Sequence, residues 1–219
     1  MAAAKSNTNW FVIGVSAAVV VVLAVLALVV VNLNNQATAP GPTPEGAIIN
    51  QDSGAITIGN GEDTVDTYID FMCPICNQFE QQYGEQLQTA ANNDKITLNI
   101  HPIAILDFRS TTDYSSRSAA AMYCVAENDP DVALDYMAAL FENQPAEGSA
   151  GLDDAQLKEY AKQVGADGSV DCISDKTYLK FPVAQAKAHE IKGTPTIEVN
   201  GKRLDLQAGD ISQMEKLLG

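Results

Sequence analysis

The sequence contains few basic residues. Its 219 residues include 13 lysines and arginines against 28 aspartates and glutamates, which gives a formal net charge of −15 at pH 7. Nucleic acids and anionic lipid surfaces attract mainly basic proteins. We therefore expect no nucleic-acid partner and no attachment to lipid through surface charge. Beyond this exclusion, an acidic surface is typical of any soluble domain.

The sequence also lacks a second closely spaced pair of cysteines or histidines. Cys73 and Cys76 are separated by two residues, whereas Cys124 and Cys172 are isolated in the sequence. A structural zinc site needs two such pairs, each at short spacing. Half of a zinc site is the alternative interpretation of the first pair, but redox chemistry accounts for it better. We expect no metal and no organic cofactor.

Charged residues are absent from residues 10–31. As a helix, at about 1.5 Å per residue, this segment extends about 33 Å, enough to cross the hydrocarbon core of a membrane. Lys5 precedes it, and positive charge favours the cytoplasmic side. We predict a cytoplasmic tail over residues 1–9 and a transmembrane anchor over residues 10–31. The rest of the chain is then on the extracytoplasmic side of the cell membrane.

A cleaved signal peptide is the alternative interpretation of this segment. The apolar core of a signal peptide normally has about 7–15 residues, fewer than the apolar segment here. Residues 37–39 have the small-residue pattern of a cleavage site, but Pro40 follows directly and hinders cleavage. We therefore favour a retained anchor. In either case the domain faces an oxidising compartment, where disulfides persist.

The first chemical motif lies between a predicted strand and a predicted helix. The apolar run Val65–Phe71 leads into Cys73, and residues 77–91 have a helical pattern after Cys76. A helix N-terminus stabilises the negative charge of a thiolate, which is the form of cysteine that attacks disulfides. Pro74 suits the first helical turn, where its missing N–H is no loss. We interpret Cys73 as the attacking thiol and Cys76 as the resolving thiol.

The rest of the chain predicts a linker and one α/β domain. Residues 32–54 are polar and rich in proline, as in a tether, and residues 55–219 have the size of a single domain.

Residues 95–100 form a second apolar run after the helix that follows Cys76, so the resulting β-α-β unit should contain parallel strands. Residues 106–190 follow a helical pattern, and the helices predicted within them cover residues 114–127, 131–142, 153–164 and 176–191, the last disturbed at Pro182.

The chain closes with a hairpin and a helix. Asn200 and Gly201 separate two apolar runs, which is the strongest short-range signal for a β-hairpin. Residues 211–218 carry apolar side chains on one helical face. A further short run at residues 55–58 predicts an edge strand. His101 follows the second predicted strand and could lie near the cysteines, but a lone histidine is more often structural.

These residues resemble a known family. A Cys73-Pro74-Ile75-Cys76 motif at a helix start, an inserted helical block, and Thr194-Pro195 before a hairpin resemble the DsbA-like branch of the thioredoxin superfamily, in particular its membrane-anchored actinobacterial type. The resemblance implies a thioredoxin fold, β-α-β then β-β-α, with an inserted helical domain. It also implies that Pro195 is cis, that Thr194 pairs with a substrate strand, and that Pro74 and Ile75 contact substrate. An ordinary turn proline is the alternative for Pro195.

Two features depart from the family pattern. Thioredoxins carry a buried acid where this chain has Thr67, so proton removal from Cys76 must use water or another group if Thr67 is buried. Asp70 is the nearest carboxylate in sequence and could substitute for that acid, but we expect it to be solvated or to cap a helix. Ile75 stands where the most oxidising DsbA proteins have histidine, which predicts a less depressed pKa of Cys73 and a weaker oxidant.

The second pair of cysteines predicts a structural disulfide. An even number of cysteines in an oxidising compartment suggests pairing of Cys124 with Cys172. Closing a loop of about 49 residues removes about 4 kcal/mol of unfolded-state entropy. Related anchored DsbA proteins have such a bridge in the helical block. The alternative is that Cys124 is a buried free thiol.

From the sequence we predict a thiol–disulfide oxidoreductase that oxidises reduced exported proteins. The resemblance implies a membrane reoxidant of the DsbB or VKOR type, and we expect a monomer. A first alternative is a reductase of the kind used in cytochrome c maturation, because the same residues serve both directions. A second alternative is a membrane-tethered binding protein in which the Cys73–Cys76 bridge is structural.

Overall fold

The computed structural model describes residues 21–31 and 41–219. Residues 21–31 are helical and have exposed side chains. The rest of the predicted anchor, residues 10–20, lies outside the described residues, as do residues 1–9 and 32–40. Within the described ranges, no helix combines the length and the apolar character that crossing a membrane requires.

The domain is built on a mixed five-stranded sheet. Its strand order is β1-β3-β2-β4-β5. The strands are β1 (Ile56–Ile58), β2 (Asp63–Ile69), β3 (Ile96–Pro102), β4 (Thr196–Val199) and β5 (Lys202–Arg203). The central strand β2 pairs parallel with β3 and antiparallel with β4. The predicted parallel β-α-β unit and the predicted edge strand β1 are therefore confirmed.

Helices flank the sheet and fill the long connection between β3 and β4. They are α1 (Pro74–Phe79), α2 (Glu85–Asn92), α3 (Tyr114–Asn128), α4 (Ala133–Glu142), α5 (Asp154–Gln163), α6 (Val170–Asp175), α7 (Phe181–Ala188) and α8 (Ser212–Leu218). Short 3₁₀ turns lie at Asp107–Arg109, Pro130–Val132 and Asp167–Ser169. Helices α3 to α7 form the inserted block predicted for residues 106–190.

Local sequence signals explain several of these boundaries. Asp153 accepts a hydrogen bond from the N–H of Gln156 at 2.8 Å, and the Gln156 side chain accepts one from the N–H of Asp153 at 2.9 Å. This reciprocal cap begins α5 at the residue predicted from sequence. Asn200 and Gly201 have positive φ angles of 51° and 73°, as the predicted two-residue hairpin turn requires.

Two predicted helices differ from the structure. The helix predicted over residues 77–91 begins earlier, at Pro74, and is interrupted by a π-helical turn at Glu80–Gly84. The helix predicted over residues 176–191 is wrong in its first part, because α7 begins at Phe181. Pro182 lies in the first turn of α7, where its missing N–H is tolerated, and so it starts the helix rather than disturbing it.

The sheet and the helical block share one hydrophobic core. Almost every residue of α3 is buried. Phe71, two residues after the central strand, contacts Phe141 of α4, with ring centroids 4.9 Å apart. Because this contact joins the segment before Cys73 to an inserted helix, the block holds one side of the cysteine motif in place.

Part of the stretch predicted as a linker packs on the domain. Ile49 is buried, and the N–H of Thr57 donates a hydrogen bond to the Ile48 carbonyl oxygen at 2.7 Å. The N–H of Glu45 donates to the Glu127 side chain of α3 at 2.9 Å. The folded domain therefore includes residues before position 55.

Candidate active site

Cys73 lies at the junction of the central strand and the first helix. It is the residue before α1, with extended backbone angles, and Pro74 occupies the first helical turn. The strand–cysteine–helix arrangement predicted from sequence is therefore present. The free N–H groups of the first helical turn face the Cys73 sulfur, as expected for an activated thiol.

The Cys73 thiol is strongly activated. Its pKa is lowered to about 6, first by a hydrogen bond from the Cys76 thiol, then by the Thr194 side chain and by the N–H groups of Cys76 and Ile75, while burial opposes the shift. The Cys73 residue is 5% exposed. At pH 7 this sulfur is mainly a thiolate, which is the nucleophilic form of cysteine.

The Cys76 thiol has the opposite character. Cys76 is fully buried, and burial together with its hydrogen bond to Cys73 raises its pKa well above the ordinary value. Both cysteines are free thiols in this structure. The two sulfurs therefore differ as an attacking and a resolving group must: the pKa of the slightly exposed Cys73 is lowered, and the pKa of the fully buried Cys76 is raised.

A loop from the far end of the chain completes the site. The Thr194–Pro195 peptide bond is cis. The Sγ atom of Cys73 donates a hydrogen bond to the Thr194 carbonyl oxygen at 3.3 Å. Antiparallel pairing of β4 with β2 sets Thr196 opposite Tyr68 and so brings this loop to the end of the cysteine-bearing strand.

The surface around the cysteines presents apolar side chains. Pro74 is exposed, and the Ile75 side chain is 55% exposed. Such side chains at the opening of a site favour contact with a polypeptide rather than with a small polar molecule.

Asp70 is buried, and the expectation of a solvated carboxylate is wrong. It is 0% exposed and accepts hydrogen bonds from the N–H groups of Met72, Ile105 and Leu106 and from the Ser115 hydroxyl, at 2.7–3.0 Å. Burial raises its pKa, although these four donors oppose the shift. Through these hydrogen bonds, Asp70 connects the segment just before Cys73 to the β3–α3 connection and to α3.

Thr67 is buried, at the position where thioredoxins have an acid. It is 1% exposed, and its hydroxyl oxygen has no hydrogen-bond partner among the described residues. Thr67 and Ile197 face each other in the pairing of β2 with β4. The side chain at this position therefore supplies no carboxylate for proton exchange with Cys76.

Gln144 is a site residue that sequence reasoning missed. Its Nε2 atom donates hydrogen bonds to the carbonyl oxygens of Cys73 at 2.9 Å and Phe71 at 3.0 Å. The Asn77 side chain donates to Gln144 at 3.2 Å and to the Phe141 carbonyl oxygen at 2.9 Å. A glutamine after a helix in a polar stretch carries no local signal of this role, because the contact depends on how the helical block packs.

His101 takes part in a separate structural cluster. Its Nε2 atom lies 3.1 Å from Asp66, and its ring stacks on Tyr68 with centroids 4.2 Å apart. His189 contacts both rings, and Tyr68 and His189 form a hydrogen bond at 3.2 Å. The structural interpretation of His101 therefore accounts for its environment.

The second pair of cysteines forms a disulfide. Cys124 of α3 and Cys172 of α6 are bonded, with Cα atoms 5.7 Å apart. Cys124 is buried. The bond joins two helices of the inserted block.

Comparison with known proteins agrees with this geometry. Residues 52–218 match the thioredoxin family model. The chain belongs to the thioredoxin family. The reduced structure of DsbA from Mycobacterium tuberculosis is similar to this thioredoxin-family protein, with 30% identity, a TM-score of 0.67, and coverage of 75% of this chain and 92% of that one.

Two other relatives are a second oxidoreductase and a much longer protein kinase. MdbA, a thiol-disulfide oxidoreductase from Corynebacterium matruchotii, is 26% identical, with a TM-score of 0.63 and coverage of 78% of this chain and 93% of that one. The serine/threonine-protein kinase PknE of Mycobacterium tuberculosis is 35% identical over 131 residues, which are 57% of this chain and 23% of the kinase. The matched part thus spans under a quarter of the kinase. The structural neighbours of this thioredoxin-family protein are DsbA-type thiol–disulfide oxidoreductases.

Proposed function

We propose that this thioredoxin-family protein is an extracytoplasmic thiol–disulfide oxidoreductase that forms disulfide bonds in reduced exported proteins. The observation that carries the proposal is the opposite character of its two thiols. The pKa of Cys73 is lowered to about 6, whereas burial raises the pKa of Cys76. A stabilised thiolate favours the reduced enzyme, and the disulfide of such a pair is a good oxidant.

The first step breaks the Cys73–Cys76 disulfide. A substrate thiolate attacks the Sγ atom of Cys73 and forms a mixed disulfide, and the Cys76 sulfur leaves with the bonding electron pair. Because the pKa of Cys76 is raised, its sulfur then takes up a proton. The resulting thiol can donate a hydrogen bond to the Cys73 sulfur.

The second step forms the product. A second substrate thiolate attacks the substrate sulfur of the mixed disulfide, which creates the substrate disulfide and releases Cys73 as a thiolate. Two electrons have then moved from the substrate to the enzyme. Thr194 and Pro195 hold the substrate segment on one side of the sulfur, while Pro74 and Ile75 contact it from the helix side.

The enzyme must be reoxidised after each turnover. We propose that residues 10–31 anchor it in the cell membrane, so that a membrane protein of the DsbB or VKOR type can accept the two electrons. No metal or organic cofactor takes part in thiol–disulfide exchange, and the enzyme acts as a monomer. The acidic surface, with a net charge of −15, supports a protein partner rather than a nucleic acid.

The decisive experiment is equilibration of the protein with defined ratios of reduced and oxidised glutathione. A gel shift after thiol labelling reads the redox state, since the single tryptophan, Trp10, lies within the predicted anchor. We expect a potential above that of the cytosolic glutathione pool, which is at or below about −220 mV. The oxidised protein should also introduce a disulfide into a reduced, unfolded test protein.

Matched controls separate this proposal from a structural bridge. Cys73→Ser should abolish oxidation of the test protein. After mild dithiothreitol treatment, an alkylating reagent should react first at Cys73, whereas a structural bridge resists reduction. A reduced test protein that stays reduced beside the oxidised enzyme contradicts the proposal.

The absence of histidine in the motif favours a second candidate, a disulfide reductase. Ile75 occupies the position of that histidine, so one source of thiolate stabilisation is missing. A measured potential near that of thioredoxin, about −270 mV, would assign the protein to the reductase direction. The same glutathione titration therefore distinguishes the two.

A further inference from the structure

A groove lies beside the cysteine-bearing helix, where the π-helical turn Glu80–Gly84 faces α4. It has a volume of about 250 Å³. Met137 and Phe141 of α4 supply apolar surface to its lining. Turns of the π type are rare, and they are frequent at functional sites. This groove has no part in the exchange steps described above.

The groove is acidic. Three of its lining residues are Glu80, Glu85 and Glu142, and its lining, all within the described part of the chain, contains no lysine, arginine or histidine. Glu85 and Glu142 are exposed. A surface of this kind attracts a positively charged group and repels an acidic one.

Glu80 is the unusual member of this set. The residue is partly buried, and it has no hydrogen-bond or ion-pair partner among residues 41–219. Burial raises the pKa of its carboxyl group to about 7, because no donor replaces the lost hydration. A cation bound in the groove would supply the missing partner.

Gly84 makes room for the Glu80 carboxyl group. A Cβ atom at position 84 would lie 2.8 Å from the Glu80 Oε2 atom, closer than such atoms normally approach. The π-helical turn and the glycine thus hold this carboxyl group against the backbone in an acidic groove.

The groove is connected to the reactive cysteine through a short chain of contacts. Asn77 lines the groove and lies one helical turn after Cys73. Its side chain donates to Gln144, and Gln144 donates to the Cys73 carbonyl oxygen. The four residues from Cys73 to Asn77 rise about 6 Å along the helix, so a polypeptide bonded to Cys73 can place a neighbouring lysine or arginine side chain in the groove.

We propose that this groove binds a lysine or arginine side chain of the polypeptide substrate, close in sequence to the cysteine that reacts with Cys73. The carboxylates of Glu80, Glu85 and Glu142 take the charged head, and Met137 and Phe141 contact the aliphatic stem. The inference rests on the proposed function, because it names the class of polypeptide that the same site oxidises.

The test uses dithiol peptides of one sequence, each with a single lysine at a successive position around the first cysteine. The reference peptide carries norleucine, which keeps the stem and removes the charge. We expect the full-length protein to oxidise the best lysine peptide with a kcat/KM about fivefold above that of the norleucine peptide, the effect of one partly desolvated ion pair. Added salt should reduce this ratio.

Three variants identify the groove as the source of the preference. Glu80→Gln should bring the ratio close to one. Gly84→Ala should lower it as well, since it displaces the carboxyl group without changing the charge. Glu159→Gln, on the exposed face of α5, makes the same charge change elsewhere and should leave both the ratio and the basal rate unchanged. A ratio near one in the unmodified protein, or an unchanged ratio in Glu80→Gln, overturns the inference.

A binding measurement separates this inference from the proposed function. Fluorescence anisotropy of the labelled lysine peptide, with serine in place of both cysteines, reports binding without any redox step. One outcome is that no peptide is oxidised, but the serine peptide binds about fivefold more weakly to Glu80→Gln than to the unmodified protein. This result supports lysine binding in the groove and contradicts the proposed function. If peptides are oxidised and the serine peptide binds both proteins equally, the inference about the groove is wrong and the proposed function is unaffected.

Discussion

The Sγ atom of Cys73 donates a hydrogen bond to the main-chain oxygen of Thr194 at 3.3 Å, although the two residues are 121 positions apart in the sequence. Pairing of β4 with β2 creates this contact. When Cys73 is a thiolate it no longer donates, and the Thr194 oxygen loses this partner. We propose that a substrate N–H takes its place, as the substrate-positioning role proposed for Thr194 requires.

The first prediction concerns the pKa of Cys73. Cys76→Ala removes the thiol that donates to Cys73, the largest contribution to its lowered pKa. We expect the pKa to rise from about 6 toward the ordinary value of about 8.5. Ultraviolet absorbance of the thiolate, followed against pH in the reduced protein, measures the shift.

Cys76→Ser is the matched control for this measurement. The serine hydroxyl can still donate a hydrogen bond, so the pKa of Cys73 should rise less than in the alanine variant. Mixed with a substrate that already contains a disulfide, both variants should trap a mixed disulfide, because Cys73 attacks the substrate disulfide and no second enzyme thiol releases it. An equal pKa in all three proteins would show that the helix alone activates the sulfur.

The second prediction concerns the buried carboxyl group of Asp70. Asp70→Ala leaves three N–H groups and one hydroxyl without their acceptor, and we expect it to lower the free energy of unfolding by about 3 kcal/mol or more. Asp70→Asn keeps one acceptor oxygen and should cost about 1–2 kcal/mol. Urea denaturation of the two variants tests this order, and equal losses would contradict it.

The third prediction concerns the disulfide between α3 and α6. Cys172→Ser should lower the free energy of unfolding by about 4 kcal/mol, since the reduced chain is free to open the loop in its unfolded state. Oxidation of a test protein should be largely retained at temperatures where the variant is folded. A variant that is equally stable but inactive would overturn the structural role of this bond.

The fourth prediction concerns stability at mildly acidic pH. Burial lowers the pKa of His101, although Asp66 opposes the shift, and His189 and Glu198 also act on it. The unfolded chain therefore takes up a proton below about pH 6.5 while the folded protein resists it. His101 by itself therefore lowers the free energy of unfolding as the pH falls from 7 to 5.5, whereas Glu80, whose pKa is raised to about 7, acts in the opposite direction.

Urea denaturation of the oxidised protein at both pH values, for the unmodified protein and for His101→Gln, measures the contribution of His101. Because the variant lacks the titrating ring, the unmodified protein should lose more stability than the variant, or gain less, as the pH falls from 7 to 5.5. Glu80 and the other titrating groups act in both proteins and cancel in the difference. An identical pH dependence in the two proteins would contradict the lowered pKa of His101.

Much of the fold followed from local patterns. The parallel strands around the cysteine motif, the helical block and the Asn200-Gly201 hairpin were predicted because each depends on residues close together in the sequence. The π-helical turn was not predicted, since residues 77–91 have an ordinary helical composition. The start of α7 was misplaced because Pro182 was treated as a disturbance rather than as a first-turn residue.

The site was predictable in its chemistry but not in its surroundings. Cys73 and Cys76 were identified from residue type and spacing, and Thr194 and Pro195 from the resemblance to the DsbA-like family. The burial of Asp70 and the contacts of Gln144 were not, because both depend on partners in the inserted block. No short-range pattern distinguishes a carboxylate in a core from one at a surface.

The sequence by itself determined which atoms can react: two thiols separated by two residues at the start of a helix, a geometry fixed by covalent connections and one helical turn. The tertiary structure alone decided how they differ. Cys76 is protonated because the packed core removes its water, and Cys73 is ionised because donors gather around it. Solvent exclusion arises from segments that are distant in the chain, so it appears only when the chain has folded.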